Sequence, residues 1–256
     1  MITSGDNYLD THRAGATAGD RAVSDRDPSG RASQIPELHG ANLAELYRRR
    51  FSEAEIGSRD RVWRVLCRYL RKWIPTDATV LDVACGYGEF SRNITAGRKV
   101  AVDLNPEAKA HLPSAVEFHN IAAHRLTPIE SGSIDVAFTS NFFEHLPSKD
   151  DMSAVLQEVR RVLRPAGLFI ALQPNIRYVG QRYWDFYDHH LPLSHLSAEE
   201  GFTLNGYEVI RIIPKFIPYT TKSRLPQHPA LVSLYLRIPI AWWLLGEQFL
   251  LVARRK

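Results

Sequence analysis

One stretch constrains the fold more than any other: Val80-Leu81-Asp82-Val83-Ala84-Cys85-Gly86-Tyr87-Gly88-Glu89-Phe90, an apolar strand ending in a Gly-x-Gly turn that opens a helix. Glycines at such a turn let backbone come close to a ligand, and open parallel sheets bind ligands at the carboxyl ends of their strands. A second apolar run, Val100-Ala101-Val102-Asp103, ends in an acid twenty-one residues beyond Asp82. In a nucleoside-binding α/β fold an acid so placed accepts hydrogen bonds from both ribose hydroxyls.

The alternation continues along the chain. Strands are predicted near Thr79–Ala84, Lys99–Asp103, Val116–His119, Ile134–Ser140 and Leu168–Gln173, with helical or loop segments between them, the pattern of a parallel sheet flanked by helices. The helix before the fifth strand has the clearest signal. Ser148 with Asp151 reads as a capping box, and Val155, Leu156, Val159, Val162 and Leu163 form a buried stripe ahead of the Pro165-Ala166-Gly167 turn. Before the first strand, a helical block from about Ala41 to Trp73, broken near Gly57, puts Val62, Val65, Leu66, Tyr69, Leu70 and Trp73 on one face. Two late runs, Tyr207–Ile213 and Phe249–Ala253, are expected to pair antiparallel. The thirty-five residues between them are too many for a plain loop, so an insertion over about 214–248 is expected, with one helix from Ala230 to Leu245.

A chain of 256 residues with 45% apolar and 23% charged residues is an ordinary globular one, long enough for a single enzyme-sized core. Residues 1–35 carry almost no large apolar side chain and are expected to form a disordered tail, followed by a helical cover over 36–75 and the α/β domain over 76–256. The start lacks the basic head and apolar stretch of a secretory signal, so a cytoplasmic location is expected. Cys67 and Cys85 stand apart from any Cys/His cluster and are read as reduced thiols. The net charge of +4 is spread along amphipathic segments, so no nucleic-acid partner is implied.

A nicotinamide dinucleotide would use much of the same turn. Its fingerprint needs a third glycine at position 91, which is Ser91, and Asp82 at the strand end would repel a pyrophosphate while attracting a cationic amino group. A cofactor carrying an amino acid is therefore favoured, with a nicotinamide-dependent oxidoreductase and a non-catalytic binding scaffold as the rivals.

In Val80–Phe90, Ala101–Pro106, Ser140-Asn141-Phe142-Phe143-Glu144-His145-Leu146 and the Leu-Arg-Pro-x-Gly turn within Glu158–Ala171, the chain resembles the class I S-adenosylmethionine-dependent methyltransferases, especially bacterial small-molecule enzymes. The resemblance implies a Rossmann-like α/β fold, with a seven-stranded, mostly parallel sheet whose last strand is antiparallel and helices on both faces. It implies S-adenosylmethionine as cofactor and no metal. It places Gly86 and Gly88 against the methionine portion, Asp82 on the amino group, Asp103 on the ribose, Leu104, Asn120 and Ile121 around the adenine, and Asn141 beside the sulfonium. Two positions depart from the family pattern: Ala84 stands where a first glycine is common, and Asn120 where an acid is usual.

Methylation of a small-molecule or carbohydrate acceptor, at oxygen, is the expected activity. His145 is the first candidate for general base and His189 the second, because imidazole titrates near working pH. The aromatic segment Tyr183–His190 lies where the family gathers acceptor contacts, so Tyr183, Tyr187 and His190 are expected there. A metal held by His189 and His190 with Asp185 or Asp188 is the minor alternative, since an adjacent pair is seldom a complete ligand set. Tyr219 joins the acceptor contacts through Pro218–Pro226, which resembles a subgroup associated with envelope polysaccharides. The 230–245 segment is too short and too interrupted by Pro239 to span a membrane; it is read as a lid, a dimer contact or a peripheral membrane contact.

Overall fold

The computed structural model describes residues 53–219 and 228–256. The expected tail over 1–35, and the expected helix from Ala41 as far as residue 52, lie outside them. Helix α1 (Glu53–Leu70) runs through Gly57 without a break, contrary to expectation. A solitary glycine costs a helix roughly 1 kcal/mol, which the burial of Val65, Leu66, Cys67 and Leu70 in the same helix can absorb.

Seven strands then form one sheet: β1 (Thr79–Val83), β2 (Arg98–Val102), β3 (Val116–His119), β4 (Ile134–Ser140), β5 (Leu163–Pro174), β6 (Tyr207–Ile217) and β7 (Gln248–Arg255), in spatial order β3-β2-β1-β4-β5-β7-β6. All neighbours pair parallel except β7, which runs antiparallel to both β5 and β6. The order reverses on either side of β1, so the crevice beyond β1 and β4 is the switch point where such sheets hold ligands.

Side-chain alternation feeds two cores. On β1, Leu81 and Val83 face one layer and Val80 the other; on β7, Phe249, Leu251 and Ala253 join the first and Leu250 and Val252 the second. The first layer is covered by α4 (Lys149–Val162) and α6 (His195–Leu204), the second by α1 and α2 (Glu89–Asn93). Helices on both faces explain why these strands read as continuous apolar runs.

Helix α4 forms as its sequence dictates. The Ser148 hydroxyl oxygen accepts from the Asp151 N–H at 3.2 Å, acids fill the first turn and Arg160 and Arg161 the last, complementing the helix dipole. The Asp151 carboxylate accepts a hydrogen bond from the Ser148 hydroxyl at 2.6 Å and not from the cap's backbone N–H. Val155, Leu156, Val159 and Val162 are buried to 1% exposure or less, and each such side chain contributes about 1.5–3 kcal/mol. The Pro165-Ala166-Gly167 turn is absorbed into β5 as a bulge, where the register against β4 shifts and Ala166 takes φ 60°.

The late insertion differs from expectation in two ways. Strand β6 continues to Ile217, past Pro214, and the single helix is two, α7 (Pro229–Arg237) and α8 (Pro239–Leu245). Pro239 has no N–H to continue α7 but fits the first turn of a new helix. The short helices α3 (Ala108–His111) and α5 (Ile176–Val179) complete the set.

Candidate active site

The turn after β1 is built from left-handed backbone. Ala84, Gly86 and Gly88 take φ of 56°, 53° and 71°. Ala84 therefore adopts a conformation that costs an L residue about 1–2 kcal/mol, which is why glycine is common there. A Cβ on Gly88 would meet Leu112 Cδ2 at 2.4 Å, so a side chain there would have to displace Leu112 as well as bear the left-handed backbone. Arg92 ties the turn to α1: its Nε bonds Asp60 at 3.1 Å and its Nη1 donates to the carbonyls of His111, at 3.0 Å, and Tyr87.

Three buried carboxylates converge on this turn. Asp82, Glu89 and Asp103 are 4%, 5% and 5% exposed. Burial lifts Asp82 to about 7 against the lowering effect of Ser91, whose hydroxyl donates to it at 2.7 Å; the charges of Asp103 and Glu89 raise it further. Asp103 is also raised by burial, although its oxygens accept backbone N–H groups from Asn105 at 2.7 Å and Gly86 at 2.8 Å. Glu89 has Arg59 at 2.8 Å. With Glu89 paired to Arg59, the buried carboxyls of Asp82 and Asp103 favour a cationic ligand and disfavour a pyrophosphate. Ser91, the residue that breaks the dinucleotide fingerprint, is the one that holds Asp82.

On the rim, Leu104 is 57% exposed, Asn120 donates from Nδ2 to the Asp103 carbonyl at 2.8 Å, and Ile121 is half-buried against the core. These three lie beside Asp103, with Asn120 bonded to its carbonyl. Asn141 follows β4 at φ 47°, its N–H on the Leu172 carbonyl at 3.0 Å. Cys85 is buried beside Asp82 and Asp103, and burial foremost pushes its thiol up, so it stays protonated.

Beyond Asn141 a single turn of 3-10 helix, Phe143–His145, is pinned by the buried Gln173 at the end of β5, whose Oε1 accepts from Phe142 N at 3.1 Å and Phe143 N at 3.3 Å. This presents His145 with its Nδ1 3.1 Å from both the backbone carbonyl and the carboxylate of Asp188. Burial would lower His145, but its hydrogen bond to Asp188 and the charges of Glu144 and Asp188 outweigh it and raise it overall. His189 is buried with Nδ1 2.9 Å from the Tyr183 carbonyl, its ring stacked on Phe186 and 5.1 Å from that of His145. The two candidate bases thus share one wall.

The acceptor residues divide. Tyr219 reaches this wall, its hydroxyl 3.4 Å from His189 Nδ1. Tyr183 is wholly buried and donates to the Leu191 carbonyl at 2.7 Å, so it supports the wall from behind and offers no surface to an acceptor. Tyr187 is 97% exposed and His190 is exposed too. The adjacent histidines point apart, one inward and one outward, so the metal alternative through both of them fails on geometry. A different set, Glu144, His145 and His189, places ligand atoms within 4.8 Å of one another on the wall that carries both candidate bases. Spacing does not single out Gln173, and it reads Ser91 only as the missing third glycine and Asp188 only as a metal-ligand alternative, since each acts through a partner elsewhere in sequence.

Residues 81–171 match the family model described as a methyltransferase domain. A ubiquinone biosynthesis O-methyltransferase of Paraburkholderia phymatum is 34% identical over 122 residues, 41% of this chain and 51% of that protein. The chain spans about half the length of the curated relatives it matches. Among solved structures, an S-adenosylmethionine-dependent methyltransferase of Thermotoga maritima superposes with a TM-score of 0.60 at 16% identity, covering 86% of this chain and 98% of that one. The cyclase SpnF superposes at 0.52 and 17% identity, covering 75% and 80%, so the architecture is shared with an enzyme named for a different reaction.

Proposed function

We propose that this chain, which carries a class I S-adenosylmethionine-dependent methyltransferase domain, transfers a methyl group from that cofactor to a small-molecule or carbohydrate acceptor, at oxygen, in the cytoplasm. The observation that carries the reading is the convergence of the buried acids Asp82, Glu89 and Asp103 on a left-handed glycine turn, which suits a cationic nucleoside and opposes a dinucleotide.

In this reading Asp82, held by Ser91, orients the ammonium group, and Gly86 and Gly88 keep bare backbone against the methionine chain. Asp103 takes the ribose hydroxyls with the lone pairs that remain beside its bonds from Gly86 and Asn105. Leu104, Asn120 and Ile121 border the adenine, and Asn141 stands next to the sulfur. When bound, the cofactor supplies an electrophilic methyl group on a cationic sulfonium.

His145 accepts the acceptor hydroxyl's proton at Nε2 while its Nδ1–H stays on Asp188, which stabilises the imidazolium that forms. His189 and Tyr219 line the same wall and contact the acceptor. The remaining rate comes from alignment and from keeping water out. A second reading, cofactor binding without methyl transfer, is kept beside it because the same architecture is found in an enzyme named for a different reaction.

Calorimetry with S-adenosylhomocysteine and with nicotinamide dinucleotides, followed by donor turnover with hydroxylated acceptors, tests both. Homocysteine-cofactor binding together with acceptor-dependent turnover is expected. Binding of the nicotinamide alone would overturn the proposal, and tight binding without turnover on any hydroxylated acceptor would favour the second reading.

A further inference from the structure

Helices α7 and α8 each dock by one side and leave the other bare. Leu236 is buried, the Tyr235 hydroxyl donates to the Phe216 carbonyl at 2.8 Å, and Trp242 Nε1 donates to the Tyr235 carbonyl at 2.8 Å. The Trp242 ring packs 5.5 Å from Phe216 and 5.9 Å from Tyr69. The opposite side carries Leu231, Leu234, Ile240, Trp243, Leu244 and Leu245, all exposed, with Ile240, Trp243 and Leu244 at 64–69%. Of the thirteen exposed large apolar side chains among the described residues, seven lie between Leu231 and Leu245, which makes this a contiguous patch and not scattered exposure.

Its border is basic. Lys215 Nζ stands 5.6 Å over the Trp243 ring, and Lys72 Nζ stands 3.8 Å over Tyr69, the ring that Trp242 touches. Burial raises the Tyr69 hydroxyl and the nearby charge of Arg211 opposes it, which places a third cation there. Between Val209 and Gly246 the sequence holds Arg211, Lys215, Lys222, Arg224 and Arg237 and no Asp or Glu. No described helix is long and apolar enough to cross a bilayer.

We propose that the α7–α8 face is a peripheral docking surface for an anionic lipid bilayer. Exposed leucines and a tryptophan enter the headgroup boundary, a level that tryptophan favours, while the surrounding Lys and Arg meet lipid phosphates. A second copy of this chain is a poorer occupant, because two such faces would bring like charges together. The chain runs from Lys215 through the end of β6 at Ile217 to Tyr219 on the acceptor wall, two residues further on, so a docked chain holds its candidate site close to the lipid surface. The proposal does not depend on methyl transfer, and its test uses no turnover.

The full chain would be sedimented with vesicles of phosphatidylcholine alone and of phosphatidylcholine mixed with phosphatidylglycerol. Binding to the anionic vesicles is expected, weakened by added salt, with a blue shift of tryptophan emission. The doublet Trp243→Ser, Leu244→Ser, whose side chains touch solvent and not the core, should reduce partitioning at least tenfold without changing the thermal midpoint; Ile240→Ser is the second variant. Equal partitioning of wild type and variants would overturn the proposal. So would failure of the wild type to bind, or a self-association seen by sedimentation velocity that the variants abolish.

Discussion

Replacing Asp82 by Asn tests the electrostatic core of the functional reading. Burial holds the Asp82 carboxyl at about 7, so in the ligand-free chain it is largely protonated under mildly acidic conditions. A ligand ammonium group requires the ionised form. Affinity for S-adenosylhomocysteine should therefore be flat above about pH 7 and fall close to tenfold for each pH step of one below it, about 1.4 kcal/mol per step. Keeping the series below about pH 7.5 leaves the ligand's own amino group protonated. Binding at about pH 6 must expel the Asp82 proton, so the calorimetric enthalpy should vary with the ionisation heat of the buffer, by close to one proton per ligand. Asp82→Asn should bind weakly at every pH and release no proton. Without ligand the sign reverses: a carboxyl raised in the folded state contributes stability that is complete below its ordinary value near 3.8 and is lost as pH climbs through about 7. The ligand-free thermal midpoint should therefore fall more over that window in the wild type than in Asp82→Asn, which keeps only the smaller set of raised carboxyls that includes Asp103. A wild-type affinity independent of pH, or an enthalpy independent of buffer, would refute the assignment of Asp82 to a cationic group.

Asp103→Ala strips the acceptor from the Gly86 and Asn105 N–H groups, so donor affinity should drop by at least about 1.5 kcal/mol and the melting midpoint should drop with it; unchanged affinity by calorimetry would move the ribose elsewhere. His145→Gln should lower turnover roughly a hundredfold at saturating donor while donor affinity holds, and His189→Gln tests the second candidate by the same product count. Asp188→Asn removes the charge that raises His145, so the acidic limb of the kcat/KM profile should shift to lower pH while the plateau falls; an unmoved limb would mean that His145 is not the base. Gly88→Ala, at φ 71° and against Leu112, should destabilise the fold by about 1–2 kcal/mol in a denaturant melt, and Leu112→Ala should recover only the steric share.

Much of this fold is legible in sequence because parallel strands buried on both faces appear as apolar runs, and all of the expected strands correspond to observed ones. The Gly-x-Gly turn and Asp103 are local signals and fall at one end of one sheet. What spacing could not reach is pairing across distance: Ser91 on Asp82 within a helix start, Gln173 pinning the turn that carries His145, and Asp188 orienting His145 from 43 residues away. Nor could composition distinguish the faces of Tyr183–His190, where a short irregular run sends Tyr183 and His189 inward and Tyr187 and His190 outward. Periodicity sees helices and strands; this segment is neither for long. The extra length of β6 and the break at Ile238-Pro239 escaped for another reason, since Pro214 is tolerated in an edge strand and Pro239 opens a helix as readily as it closes one.

The place of β7 has a consequence for the order in which the molecule assembles. That strand is synthesised after β6, yet it lies between β5 and β6 and hydrogen-bonds to both. Until residues past Gln248 leave the ribosome, β6 has no partner in the sheet, and its apolar side chains, with the two helices that follow, wait on an unfinished edge. Closure of the late half is therefore a single, distant pairing event with a slow, non-local character. Over that interval the nascent chain would present β5 as an open strand, the stage at which a chaperone or a neighbouring chain has its best opportunity to bind.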